Sequence, residues 1–217
     1  MQQFHEQIFS AMITTGALRF GNFTLKSGRR SPYFFNSGDL LAQASNLELV
    51  ASAMAARVAK LVKQGKCDCL FGPAYKGIAI AAATAAMLRH EHQLDLPWGY
   101  NRKETKDHGE GGQLIGTQPA GKVLLLDDVL TSGMAVQQAI HLIRQNKATP
   151  SALLLIMDRQ EAGPGGKPAH QELATTCALL VEALFTLKDL VLWLESKADM
   201  QGEAQALRSY AEGNYSP

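Results

Sequence analysis

The stretch Lys122-Val-Leu-Leu-Leu-Asp-Asp-Val-Leu-Thr-Ser-Gly-Met-Ala135 decides how the chain is read. Four apolar residues, Val123 to Leu126, run directly into two carboxylates, Asp127 and Asp128. A Thr/Ser/Gly turn follows, and a helical pattern begins after it. This order describes a buried parallel strand whose C-terminal end presents acids beside a helix N-terminus, the place where open α/β sheets bind ligands. A turn of small residues exposes backbone N–H groups, and the helix behind it adds the positive end of its dipole. A phosphate is expected there, with Asp127 and Asp128 flanking the sugar that carries it. The plainer alternative is a strand that ends in a polar turn and only caps its helix. Paired acids straight after a buried strand argue against that alternative.

The same alternation extends outward from this stretch. Leu47 to Val62 is helical and Ala-rich, Cys69 to Phe71 is a short buried strand stopped by Gly72-Pro73, and Gly77 to His90 is a helix of small apolar residues. Pro97 to Asn101 is a further strand, Ala135 to Gln145 a helix, and Ala152 to Met157 an apolar strand. Strands alternating with helices from about residue 48 to 157 predict βαβ units: an α/β fold with a central, mostly parallel sheet flanked by helices. Upstream, Phe4, Ile8, Phe9 and Met12 recur at helical spacing. Gly16 is a stop, and Phe23 to Lys26 and Tyr33 to Asn36 read as short strands. Downstream, 163–168 is a loop and Leu187 to Arg208 reads as two helices. No repeat, low-complexity segment or linker divides the chain, so a single domain over 1–217 is expected.

Composition narrows the classes. Of 217 residues, 46% are apolar and 19% charged, with a formal charge of +1, which supports a full core and excludes a disordered chain or a general nucleic-acid binder. Cys67, Cys69 and Cys177 are too few and too unevenly spaced for a disulfide framework or a zinc site, and suit a reducing compartment. The N-terminus has no apolar signal-like core, and no stretch reaches the ~20 apolar residues of a membrane span. A soluble, cytoplasmic protein without nucleic-acid or membrane partners is expected.

The acid-pair segment closely resembles the phosphoribosyl-diphosphate (PRPP) binding motif of the type I phosphoribosyltransferases. Further segments narrow the resemblance to the orotate branch of that family. They are Phe20-Gly-Asn-Phe-Thr-Leu-Lys-Ser-Gly-Arg-Arg-Ser-Pro-Tyr-Phe-Phe-Asn36, Phe71-Gly-Pro-Ala-Tyr-Lys-Gly77, Asn101-Arg-Lys-Glu-Thr-Lys-Asp-His-Gly-Glu-Gly-Gly112, Met157-Asp-Arg-Gln-Glu161 and Thr186-Leu-Lys-Asp-Leu190. They occur in order from about residue 16 to 195.

The resemblance implies the type I phosphoribosyltransferase fold, with a small N-terminal hood over about 1–40 and a mobile lid loop over about 102–113. It implies a pentosyltransferase that moves ribose 5-phosphate from PRPP to orotate, giving orotidine 5′-monophosphate and diphosphate in pyrimidine biosynthesis. It also implies a homodimer whose lid reaches the neighbouring site, and Mg²⁺ held mainly by PRPP and water, without direct protein ligands.

Residue roles follow from the same resemblance, each beside a plainer reading. Lys26 contacts PRPP and the base site; alone, it reads as a solvated lysine. Phe34 and Phe35 lie beside orotate; alone, they read as core residues. Tyr75 and Lys76 meet the diphosphate, where the alternative is an ordinary strand-to-helix turn. Lys103, Lys106 and His108 engage the diphosphate, with Arg102 and Lys103 acting across the dimer. The glycines at 109, 111 and 112 give that segment hinge freedom, although a charge run is more often a solvated face. Asp127 and Asp128 join Lys103, Lys106 and His108 as the catalytic set. Val129, Leu130, Thr131, Ser132, Gly133, Met134 and Ala135 form the phosphate loop, with Thr131 also near the base. Arg159, whose fork suits a carboxylate, binds orotate; the alternative is a surface arginine paired with Glu161.

One departure stands out. The family motif usually has Thr where this chain has Met134, so phosphate affinity is expected to be weaker by one hydrogen bond, ~0.5–1.5 kcal/mol, or up to ~3 kcal/mol to a charged group. Two other functions fit parts of the pattern. A purine phosphoribosyltransferase shares the acid pair, and Arg159 with Phe34-Phe35 discriminates against it. A PRPP-sensing, nucleic-acid-binding regulator shares the fold but calls for a basic surface or a DNA-binding unit, and neither is present in the sequence.

Overall fold

The computed structural model describes residues 3–25, 28–106, 112–130, 133–163 and 165–213, with the side chains at 3, 104–106 and 112 left out. In chain order the elements are α1 (Gln3–Thr14), β1 (Leu18–Thr24), β2 (Arg30–Phe35), α2 (Ser37–Leu41), α3 (Ala44–Lys63), β3 (Cys69–Gly72), α4 (Lys76–His92) and β4 (Trp98–Lys106). They continue as β5 (Gly112–Gly116), β6 (Lys122–Val129), α5 (Met134–Gln145), β7 (Thr149–Asp158), α6 (Ala169–Cys177), β8 (Leu180–Thr186), α7 (Leu187–Glu195) and α8 (Gln201–Gly213).

Strand β6 is covered on both faces, as its unbroken apolar run requires. Leu124 and Leu126 join the core beneath α1, α3, α4 and α7, while Val123 and Leu125 join the core beneath α5 and α6. The six-stranded sheet has the order β5-β4-β3-β6-β7-β8, and only the β4–β5 pair is antiparallel. From β3 the chain runs outward to β4 and β5, then returns to place β6 on the other side of β3. The strand order therefore reverses between β3 and β6, which opens a crevice at their C-terminal ends.

Two glycines let that crevice form. A Cβ at Gly72 would stand 2.3 Å from the Gly77 carbonyl oxygen, and one at Gly77 would stand 2.7 Å from the Leu126 carbonyl oxygen. The end of β3, the start of α4 and β6 thus meet backbone to backbone, which only glycine permits. Beside the main sheet, β1 and β2 form an antiparallel hairpin that continues into α2, and α8 packs on β2.

Several expectations need revision. The first hairpin strand begins at Leu18 and ends at Thr24 instead of spanning Phe23 to Lys26. Strand β4 runs through Arg102 and Lys103 to Lys106, past the expected end at Asn101; it pairs with β5 at Gly99 to Asn101 and again at Lys106, with a shift of register between. Helices α2 and α6 and strands β5 and β8 were not legible. Among the described residues, no helix is long and apolar enough to cross a membrane.

Candidate active site

Asp127 and Asp128 are buried near the end of β6, at 8% and 6% exposure. The Asp128 backbone N–H donates to Asp127 Oδ1 at 2.9 Å. Lys76, the first residue of α4, donates from Nζ to Asp128 Oδ2 at 2.8 Å. Ser37, itself buried, donates its hydroxyl to the same oxygen. Asn36 caps α2 by accepting from the Gly38 N–H at 3.1 Å, and its Oδ1 lies 3.4 Å from Lys76 Nζ. The start of α2, the start of α4 and the end of β6 therefore converge on one carboxylate.

The two acids differ in environment. Burial first, and then the facing charge of Asp128, push Asp127 up to about 7 from its ordinary 3.8; the Asp128 N–H and the charge of Lys76 act against this. Asp127 holds its proton more readily than an exposed aspartate, and a cation or sugar hydroxyl arriving nearby favours its ionised form.

Beyond the acids, Gly133 adopts φ 69° at the start of α5, a left-handed conformation suited to glycine, and its carbonyl accepts from Gln137 N–H at 2.8 Å. The cap residue, Gly133, has no side chain to cap this helix start, and the first N–H groups of a helix have no partner within it, so they suit an incoming acceptor. A cavity of about 420 Å³ is lined by Lys103, Asp127, Leu130, Gly133, Met134 and Ala135, among others. Met134 is 66% exposed. A neighbouring cavity of about 560 Å³ also borders Arg102, Lys103 and Met134.

Across the crevice, Tyr75 is exposed and Lys103 Nζ lies 4.6 Å from its ring centroid. The Ala74–Tyr75 peptide is cis. Buried Asn101 fixes this turn by accepting the Ala74 N–H at 3.2 Å.

Arg159 follows β7 and is buried, at 6% exposure. Its Nε donates to Glu161 Oε1 at 2.8 Å, and its guanidinium carbon lies 4.4 Å from the Tyr33 ring centroid. Arg159 is paired with Glu161, as the plainer reading has it, but it is withdrawn from solvent and not a surface residue. Phe35 is buried in the core, while Phe34 is half-buried, its ring against Phe23 at 5.6 Å and under the Arg19 guanidinium at 4.9 Å.

The structure thus brings Lys76 to Asp128 and sets Lys103 on the same cavity as Asp127 and Met134. Arg159 emerges from the next strand, since Val129 pairs with Met157. Lys26, His108, Thr131 and Ser132 lie outside the described residues, as does the side chain of Lys106. Ser37, Asn36 and Asn101 were not singled out from sequence. The one available signal was their position inside or beside the quoted segments.

Comparison with known proteins agrees with this geometry. A family model described as the phosphoribosyl transferase domain matches residues 37–177. The chain is 45% identical over 213 residues to the orotate phosphoribosyltransferase of Escherichia coli (strain K12 / DH10B), with 98% of each chain covered. Among solved structures it resembles the orotate phosphoribosyltransferase of Francisella tularensis, with a TM-score of 0.79, 29% identity, and 95% and 98% of the two chains covered. It shares the fold of the Mycobacterium tuberculosis enzyme in complex with PRPP, with a TM-score of 0.62, 16% identity and 86% and 98% covered. The buried acids at the strand-order reversal and the full-length likeness lead to one conclusion: the chain belongs to the orotate phosphoribosyltransferase family.

Proposed function

We propose that the chain transfers the ribose 5-phosphate group of PRPP to orotate, giving orotidine 5′-monophosphate and diphosphate, a step of de novo pyrimidine (UMP) biosynthesis. The observation that carries this reading is the buried Asp127–Asp128 pair, bridged to Lys76 where β3 and β6 part.

A ring N–H of orotate gives up its proton to solvent or to the departing diphosphate as its nitrogen attacks C1′ of PRPP; the C1′–O bond to diphosphate breaks and its electron pair leaves with the diphosphate. Positive charge develops on the ribosyl ring as the bond opens. Asp127 and Asp128 accept hydrogen bonds from the two ribose hydroxyls and set negative charge near that ring. Lys76, Lys103, Lys106 and His108 take the charge growing on the leaving oxygens. The loop from Val129 to Ala135, with Thr131, Ser132 and the open start of α5, offers N–H groups and hydroxyls to the 5′-phosphate. Tyr75 presents its turn to the diphosphate, and Lys26 reaches both PRPP and the base. Arg159 grips the orotate carboxylate, and Phe34 and Phe35 border the base.

The donor set suits Mg²⁺ carried in by the substrate. Among the described residues, no group of three or more His, Cys, Asp or Glu could hold a metal, and one of the two site carboxylates is already bridged to Lys76. Mg²⁺ keeps several waters and favours substrate phosphates over an all-protein cage. When bound, it supplies positive charge to the diphosphate. The proposal extends to one domain with a hood and a lid, a homodimer in which Arg102 and Lys103 serve the neighbouring site, and a cytoplasmic location.

The test is the fall in orotate ultraviolet absorbance with PRPP and Mg²⁺, with and without EDTA, and with adenine as competing base. Orotate consumption that needs PRPP and stops with EDTA is expected. Folded protein that consumes adenine and leaves orotate untouched overturns the reading.

A further inference from the structure

Helix α8 lies beyond the 37–177 family match and outside every motif quoted above. Yet its Tyr210 reaches the base side of the site. The Tyr210 hydroxyl donates to Glu161 Oε1 at 2.9 Å, the same oxygen that accepts from Arg159 Nε at 2.8 Å. Tyr210 also packs edge-on against Tyr33 at 6.0 Å, and Tyr33 is the fully buried ring beneath the Arg159 guanidinium. One carboxylate and one ring hold Arg159, and α8 braces both.

This hold leaves the fork incomplete. Arg159 Nη2 is buried and lies 2.6 Å from Glu161 Oε1, but makes no hydrogen bond of acceptable angle. A guanidinium has five N–H groups, more than one carboxylate oxygen can satisfy. Donor capacity therefore remains, in a desolvated place, for a second planar anion. An arginine fixed before its ligand arrives also loses less freedom on binding.

We infer that Glu161 and Tyr210 are positioning residues for the orotate carboxylate, engaging the Nε edge of Arg159 so that its remaining donors face the base. The inference rests on the reading of Arg159 as the group that takes that carboxylate. Tyr210 acts through Glu161, and neither touches the reacting atoms. The C-terminal helix thereby becomes part of the specificity apparatus.

Steady-state kinetics on Tyr210→Phe, Glu161→Gln and Arg159→Lys test this, with orotate and PRPP varied separately and thermal melting measured on each protein. Tyr210→Phe should raise the orotate KM by about fivefold and Glu161→Gln by about tenfold, as expected for loss of one hydrogen bond to a charged group. Both should leave kcat and the PRPP KM within about twofold, the pattern of lost uniform binding. If Arg159→Lys raises the orotate KM while the other two variants leave it unchanged, the inference fails and the Arg159 reading stands. If Arg159→Lys leaves the orotate KM unchanged, that reading fails and the inference with it. A PRPP KM that rises in step with the orotate KM marks a general loss of structure and also overturns the inference. Glu161→Gln keeps the shape of the side chain, so it decides the matter should Tyr210→Phe prove poorly folded.

Discussion

On the proposed assignment, the sugar-phosphate side and the base side of the crevice are built in opposite ways. On the first, Asp127, Asp128, Gly133 and Met134 lie on one continuous strand-turn-helix segment. On the second, Tyr33, Arg159, Glu161 and Tyr210 come from the hairpin, the end of β7 and the C-terminal helix. On that assignment the difference follows from the ligands. The 5′-phosphate is held by backbone N–H groups and a helix dipole, which a local turn can supply. A flat carboxylate-bearing ring needs side chains converging from several directions, and only tertiary packing brings those together.

The contrast can be broken most forcefully at Asp128. Asp128→Asn should lower kcat/KM for PRPP by about 10²-fold, as for removal of one preorganised electrostatic group, and leave the orotate KM near wild type. An orotate KM that rises equally would erase the division into two sides. Next in size, Arg159→Lys should raise the orotate KM by about tenfold or more through loss of the planar fork, with the PRPP KM unmoved. Varying one substrate at a time distinguishes the two patterns.

A smaller effect concerns pH. Because folding raises Asp127 from its ordinary 3.8 to about 7, the folded chain favours the protonated form. Its contribution to stability is complete below about pH 4 and is lost as pH rises through 7. Relative to wild type, Asp127→Asn should therefore gain melting temperature across that window, by about 2–4 °C per kcal/mol released. Parallel Tm–pH curves for the two proteins would refute the assigned burial effect. The least change is expected from Met134→Thr. A restored hydroxyl should lower the PRPP KM by about two- to tenfold, measured under saturating orotate, at ~0.5–1.5 kcal/mol for one hydrogen bond. No response would mean that backbone donors alone hold the phosphate.

What could be read from sequence follows the same division. Strands β6 and β7 announce themselves because burial on both faces demands an unbroken apolar run, and helix α4 does so by its run of small apolar residues. Strand β8 hid because Glu182 interrupts its pattern, and that charge is satisfied by Arg57 on α3 at 2.6 Å, a partner far away in sequence. The outer half of β4 hid because it runs on past Tyr100, the last residue paired with β3, and there the sequence is charged and polar instead of apolar. Within the site, the acid pair was plain. Ser37 and Tyr210 were not, since each gains its meaning from one oxygen that another segment delivers.

The bridge from Lys76 to Asp128 means that binding at this site is an exchange of partners. Diphosphate alone would draw the ammonium away and strand a carboxylate out of reach of water; a bare pentose would compete for the acid with a cation already seated there. On the proposed assignment, only a molecule that carries a diol and a polyanion together compensates both groups at once. Fragments of the donor, diphosphate or ribose 5-phosphate, should therefore bind far more weakly than their sum suggests, so the resting enzyme resists occupation by the pieces of its own substrate.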